Sequence, residues 1–163
     1  LICGHYGGKT VILIRHSEST WNDMINSGDG SKLVFLLFYI QLYIKEGGYQ
    51  GAKLDIDQWT WIANVTVLGQ GMSTPSYLPI KSFKPILLRK YNKIGFYIAT
   101  DGLYRRSTKG DVEGKPYAAN PDLVIYQGVG KRRPMTSGTV SPRIFNGAFG
   151  YHVVGIPTQL KYR

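Results

Sequence analysis

Apolar residues along this chain come in short runs bounded by turn residues. The first, "TVILI" (10–14), is too short for a helix and reads as a buried strand over 9–14. It stops at Arg15-His16, and Ser17 is placed to cap two helical turns from Ser17 to Ile25. "NSGDGS" (26–31) is a break, with Gly and Asp at turn positions. Residues 33–45 fit a buried helix or a long strand, and the β-branched and aromatic content around "IQLYIK" favours the strand. From Gly47 the runs "WTWIANVTVLG" (59–69), "KPILLRK" (84–90), "KIGFYIAT" (93–100), "DLVIYQGVG" (122–130) and "GAFGYHVVG" (147–155) each have strand character. In the first of these, Trp59, Trp61 and the alternation Ile62, Asn64, Thr66 suggest a strand with one buried face. Pro79, Pro85, Pro116, Pro121, Pro134, Pro142 and Pro157 mark connections and oppose long helices there. Asn146-Gly147 signals a hairpin, since both residues adopt positive φ readily. Short strands at this spacing predict an antiparallel sandwich or barrel.

Composition sharpens this picture in a few places. The 163 residues, 43% hydrophobic, suffice for one domain with a real core, or for one domain plus a fragment. The net charge of +10 is uneven: residues 1–47 carry four basic groups (Lys9, Arg15, Lys32, Lys45) against four acidic ones, and the remainder sixteen against six. A basic surface attracts nucleic acid, lipid headgroups and acidic glycans alike, and also serves solubility. Cys3 is the only cysteine, so no internal disulfide and no cysteine metal site can form. The most apolar stretch, 33–44, is shorter than the roughly 20 residues of a membrane-crossing helix, and no transmembrane segment is expected. The start lacks a basic-then-apolar leader pattern. Asn64-Val65-Thr66 matches the glycosylation pattern.

The string Leu13-Ile14-Arg15-His16-Ser17-Glu18-Ser19-Thr20-Trp21-Asn22 resembles the opening motif of the histidine phosphatase superfamily, which includes the cofactor-dependent phosphoglycerate mutases. In that family a strand ends in Arg-His-Gly, followed by an acidic or amide residue, a Ser/Thr and then an Asn; here Ser17 stands at the Gly position. The resemblance implies His16 as nucleophile, forming a phosphohistidine, with Arg15 and Asn22 as phosphate ligands. The chemistry is coherent, because a neutral imidazole attacks phosphorus near pH 7 and a guanidinium binds two phosphate oxygens. The family also uses a second Arg, a proton-donating carboxyl and a later His. His5 precedes the motif, and His152, in "FGYHVVGIP", has a strand-like setting. The site is therefore expected to be incomplete.

A second resemblance covers residues from about 40 onward. "IQLYIKEGGYQG", "QWTWIANVTVLGQG", "GFYIAT" and "NPDLVIYQGVGKRRPMTSGTVSPRIFNGAFGYHV" occur in an order similar to a β-rich domain of unknown function associated with diatom and marine bacterial proteins. That family brings a fold and no chemistry. Read physically, Arg143 is placed to anchor a loop on backbone carbonyls. Lys131-Arg132-Arg133 and Tyr104-Arg105-Arg106, with Tyr97 and Tyr126, are candidates to border a groove for an anionic polymer.

These readings combine into one expectation. The chain is mainly β: an antiparallel β-sandwich-like domain (33–163) preceded by a short strand-loop-helix segment of α/β type (1–32), as in a fusion, a fragment or a spliced gene. The leading strand has no parallel sheet to join, so the first sixty residues are expected to pack poorly. The function is phosphoryl transfer of the histidine phosphatase type, as a phosphatase or phosphomutase with an incomplete site, or else non-catalytic binding of glycans or other anionic surface ligands. No cofactor or metal ion is expected. The partner is a phosphorylated small molecule or an anionic glycan. Nucleic acid ranks last, since no RNP-like, zinc or helix-turn-helix pattern is present.

Overall fold

The computed structural model describes residues 2–5, 9–16, 37–68, 76–100, 105–106, 110–131, 138–145, 147–154 and 161–162. They are mainly β. The helical residues among them are two 3-10 turns, Ile56–Gln58 and Ile80–Ser82. Every strand pairing is antiparallel.

A six-stranded sheet is built from β1 (Ile2–His5), β3 (Leu37–Glu46), β4 (Thr60–Leu68), β7 (Lys93–Thr100), β9 (Pro116–Ala119) and β10 (Leu123–Tyr126), in the order β4-β3-β7-β1-β10-β9. A five-stranded sheet contains β2 (Lys9–His16), β5 (Ser76–Tyr77), β6 (Leu87–Leu88), β13 (Gly147–Val154) and β14 (Lys161–Tyr162). A three-stranded sheet is formed by β11 (Gly128–Lys131), β12 (Thr139–Ile144) and β8 (Arg105–Arg106).

Alternation decides which faces meet. On β7 the residues Ile94, Phe96 and Ile98 are buried on one face, and they join Ile40, Leu42, Ala63, Val67, Leu123 and Ile125 of the same sheet. The five-stranded sheet contributes Leu88, Phe149 and Tyr151 to the same core. The Phe149 ring lies 5.3 Å from Phe96 and 5.3 Å from Phe145. One core thus lies between the two larger sheets, as a sandwich-like fold requires. Tyr151, with no exposed surface, keeps its hydroxyl satisfied: Asn120 Nδ2 donates to it at 2.5 Å, and it donates to Asp122 Oδ2 at 3.2 Å. Those partners sit in the turn between β9 and β10, so a polar link ties the two sheets together.

Several sequence expectations meet their outcome here. The ambiguous 33–45 segment yields β3. "DLVIYQGVG" divides at Gln127 into β10 and β11, which belong to different sheets. "KPILLRK" contributes only the two residues of β6. The chain between β12 and β13 passes from one sheet to another, so Asn146-Gly147 does not close a hairpin between paired neighbours. The strand at 9–14 runs on to His16 and finds antiparallel partners in β13, β5 and β6 in place of a parallel sheet. The helical turns expected over Ser17–Ile25 lie outside the described residues. Among the described residues no helix is long and apolar enough to cross a membrane, a statement that does not extend to strands.

Candidate functional site

The register first locates the Arg-His motif. Arg15 and His16 are the last two residues of β2. They pair with Ala148 and Gly147 on one side and with Tyr77 and Ser76 on the other. The ladder therefore continues through both residues, where the sequence suggested that the strand stops before them. His152 pairs with Val11, five positions along the ladder from His16, or about 17 Å at strand rise. Asn22 lies outside the described residues, as do Arg132, Arg133 and Tyr104. Arg105 and Arg106 form β8, at the edge of the three-stranded sheet. Arg143 is half-buried within β12, and its Nη1 donates to the carbonyl of its neighbour Pro142 at 2.9 Å, a contact inside the strand where the sequence context suggested a loop anchor.

A different set of side chains gathers on the outer face of the six-stranded sheet, away from the core. Trp61 pairs with Tyr43, and Tyr43 with Tyr97, which puts three aromatic residues in one row across β4, β3 and β7. Directly opposite residues share a face, so the row spans about 10 Å at ordinary strand spacing. Trp61 is 57% exposed, and Tyr43 and Tyr97 are half-buried with their rings edge-on at 6.1 Å. Further along β3, Tyr39 is 44% exposed, and its hydroxyl accepts from Asn64 Nδ2 at 2.6 Å. Gln41 pairs with Asn64 between these aromatics. A bulge between Leu42 and Tyr43 shifts the β4 register, which turns Trp61 outward while Ala63 and Val67 face the core.

The row leads into a cleft. Residues 47–59 leave β3, cross over β7 and return to β4, covering the outer face at β7. The crossing is close at Gly95, where a Cβ would lie 3.4 Å from the Tyr49 amide nitrogen and 3.6 Å from Trp59 Cη2. Tyr49, Ala52 and Trp59 form a second small core there with Tyr43, Tyr97, Tyr126 and Val129 around it. Trp59 donates its indole N–H to the Ala52 carbonyl at 2.8 Å and stands edge-on to Tyr97 at 5.6 Å. Between this segment and β11 opens a small cleft of about 30 Å³, lined by Tyr49, Lys53, Trp59, Tyr97, Val129 and Lys131 among others.

Glu113 fastens the cleft wall. Its carboxylate accepts from the Tyr49 hydroxyl (2.8 Å), Lys53 Nζ (2.8 Å) and the Ser141 hydroxyl (2.6 Å), joining the 47–59 segment to the turn before β9 and to β12. Partial burial pushes the Glu113 carboxyl up, but the hydrogen bonds from Lys53, Ser141 and Tyr49 and the ammonium charge together hold it below its usual range. The Tyr49 phenol is pushed above its usual range, first by burial and then by the hydrogen bond to Glu113 and that carboxylate's charge. Neither group is poised for proton transfer near neutral pH, and the cluster reads as a tether.

Tyr97 and Lys131 figured among the sequence's groove candidates; Trp61, Tyr43 and Tyr39 were legible only as strand residues, and Glu113, Tyr49 and Lys53 not at all. Their meeting depends on the register of β3 with β4 and β7 and on contacts sixty or more residues apart in the chain. Compared with family models, with curated proteins and with solved structures, the chain matches none.

Proposed function

We propose that the chain is a non-catalytic β-sandwich binding module whose ligand is a glycan laid across the outer face of the six-stranded sheet. The observation that carries this reading is the aromatic row Trp61–Tyr43–Tyr97, exposed at one end, flanked by Tyr39, Gln41 and Asn64, and running into the cleft. Planar rings on a rigid sheet offer a large apolar surface with little ordering cost on binding, and sugar rings present apolar faces to stack on it. Adjacent amides supply donors and acceptors for the hydroxyls. An exposed apolar patch rimmed by polar groups is a marker of an interaction surface.

The test is retention on native gels containing neutral or acidic polysaccharides, at low and high salt, with Trp61→Ala and Tyr39→Ala as variants. Retention of the wild type, lost in both variants while their thermal unfolding is unchanged, is the expected result. No retention by any polysaccharide overturns the reading.

Phosphoryl transfer through His16 is the second reading, supported by the ten-residue sequence motif whose first four residues end β2. It predicts hydrolysis of an aryl phosphate between pH 5 and 8 that is abolished in His16→Ala.

A further inference from the structure

The segment 80–93 runs along the edge of the five-stranded sheet, through β6, to the start of β7 in the six-stranded one. Phe83, Ile86 and Leu88 anchor it in the core. The residues between those anchors, and the turn that follows, carry Lys81, Lys84, Arg89, Lys90 and Lys93 and no acidic residue. All five cations are exposed, and among the described residues none forms an ion pair. Glu46, in register with Ile94 at the start of β7, pairs with none of them. The tip is the turn Arg89–Asn92, closed by the Asn92 amide donating to the Arg89 carbonyl at 3.0 Å. Its third residue, Tyr91, holds φ +63, a conformation that Gly or Asn ordinarily supplies at this place in a turn. Among the described residues Tyr91 is the one non-glycine with positive φ. At 71% it is also more exposed than any other large apolar or aromatic residue described. A bulky side chain there strains the backbone, and so exposed a ring returns little through packing; strain of this kind persists where the side chain has a use. The Lys90 ammonium lies 4.8 Å from the centre of the Tyr91 ring, and Leu87, also exposed, stands just behind the turn on β6.

From this we infer that the β6–β7 tip docks the protein on an anionic phospholipid surface, with Tyr91 and Leu87 at the level of the headgroups and the cations around them. The partner follows from the arrangement. Unpaired cations spread along an exposed edge need no pocket to meet a plane of negative charge; proximity is enough. A tyrosine has an apolar body and a polar end, and it settles where lipid meets water. A nucleic-acid strand is held by a charged groove with successive stacking rings, and this tip offers one ring on a turn. The net charge of +10 adds a long-range attraction to the same surface. Each cation close to an anionic bilayer is worth about fivefold in affinity. Arg89, Lys90 and Lys93 together therefore favour anionic over neutral vesicles by roughly a hundredfold. The inference goes beyond the glycan reading and uses none of its residues.

Co-sedimentation of the full chain with vesicles tests it, using phosphatidylcholine alone and phosphatidylcholine with about one-third phosphatidylserine. The wild type is expected to pellet with the anionic vesicles and to be released as salt rises. Arg89→Gln and Lys90→Gln are each expected to weaken that binding about fivefold. Lys131→Gln removes the same unit of charge from β11 and is expected to change little. Tyr91→Asn is expected to bind several-fold more weakly although it relieves the strained turn, a combination that a purely structural role would not give. Trp61→Ala, in the aromatic row, should bind vesicles as the wild type does, whether or not it loses glycan. Equal losses in Lys90→Gln and Lys131→Gln reduce the effect to bulk charge and overturn the inference. Equal binding to neutral vesicles, or binding to neither kind, overturns it as well. Capture of a single-stranded oligonucleotide that is lost in Lys90→Gln, with no vesicle binding, overturns it in favour of nucleic acid.

Discussion

Replacing Glu113 with Ala should release the wall of the cleft, and the size of the effect can be worked from its partners. Three donors converge on this carboxylate. Tyr49 is 3% exposed, so its hydroxyl would be left inside the protein without an acceptor, at a cost of about 1–3 kcal/mol. The Lys53 pair has side chains 30% and 27% exposed and contributes less, roughly 0.2–1 kcal/mol. A total near 2–3 kcal/mol follows, and for a chain of this length it lowers the melting temperature by roughly 5–10 °C. Thermal unfolding followed by near-ultraviolet circular dichroism, which sees Tyr49 and Trp59, is the assay. Adding Tyr49→Phe to Glu113→Ala removes the orphaned hydroxyl, so the double variant should be more stable than the sum of the single losses, by about 1 kcal/mol. The pH dependence has a defined sign. The Glu113 carboxyl is held low in the folded state, so its contribution is present above the ordinary carboxylate range and is lost as pH falls through the folded value. The gap between wild type and Glu113→Ala should therefore close below about pH 4. Tyr49 is held high, so its contribution is present below the ordinary phenol range near 10 and fades as pH rises beyond it. Burial is the leading cause there, and most of the alkaline loss should persist in the variant. A melting temperature within 1 °C of wild type, or strict additivity of the two changes, would refute the tether.

Other expectations concern the fold. Phe149→Ala empties a fully buried site between Phe96 and Phe145 and should destabilise by about 3–5 kcal/mol, read from urea unfolding; a loss below 1 kcal/mol would mean that the two sheets do not share that core. Tyr91 holds φ +63 in the turn between β6 and β7 and is 71% exposed, so Tyr91→Asn should raise stability by about 0.5 kcal/mol, seen as a small upward shift in melting temperature. A chain beginning at residue 33 lacks β1, which lies between β7 and β10, and β2, which lies between β13 and β5; it should unfold without a cooperative transition, and a sharp melt equal to that of the full chain would sink this.

The strands of this protein were legible where period-two alternation coincides with β-branched and aromatic residues. The run 93–100 became β7 residue for residue, and 147–155 became β13 less its last residue. Sheet membership was not legible. "DLVIYQGVG" reads as one run because nothing in its pattern marks Gln127, whose side chain accepts from the Val112 amide while its own amide donates to the Lys115 carbonyl. That pairing with the turn before β9 separates β10 from β11, and it is a tertiary event. By sequence, β2 reads as part of an α/β segment because its motif resembles one. Its neighbours in space come from residues 76–77, 87–88 and 147–154, which no local pattern connects to it. The outward turn of Trp61 depends on a bulge, and a one-residue slip reverses faces, so alternation alone could not decide which side of β4 would be dry.

The proposed binding role of the aromatic row draws its argument from a contrast between two parts of the outer face. Over Gly95 the segment 47–59 covers the sheet, and the aromatic residues it carries, Trp59 and Tyr49, are 8% and 3% exposed, with their polar atoms bonded to Ala52 and Glu113. Folding has used that half. Over β4 and β3 nothing among the described residues covers the sheet, yet Trp61, Tyr39, Leu37 and Leu68 stand there, each more than 40% exposed. If solvent were the permanent neighbour of this half, polar residues at positions 61 and 39 would cost the fold nothing, because neither side chain belongs to either core. Rings at two outward positions of adjacent strands, one of them in a row with Tyr43 and Tyr97, form the kind of exposed apolar surface that the proposed binding reading requires. The basic balance of the chain makes an anionic partner the electrostatically favoured one.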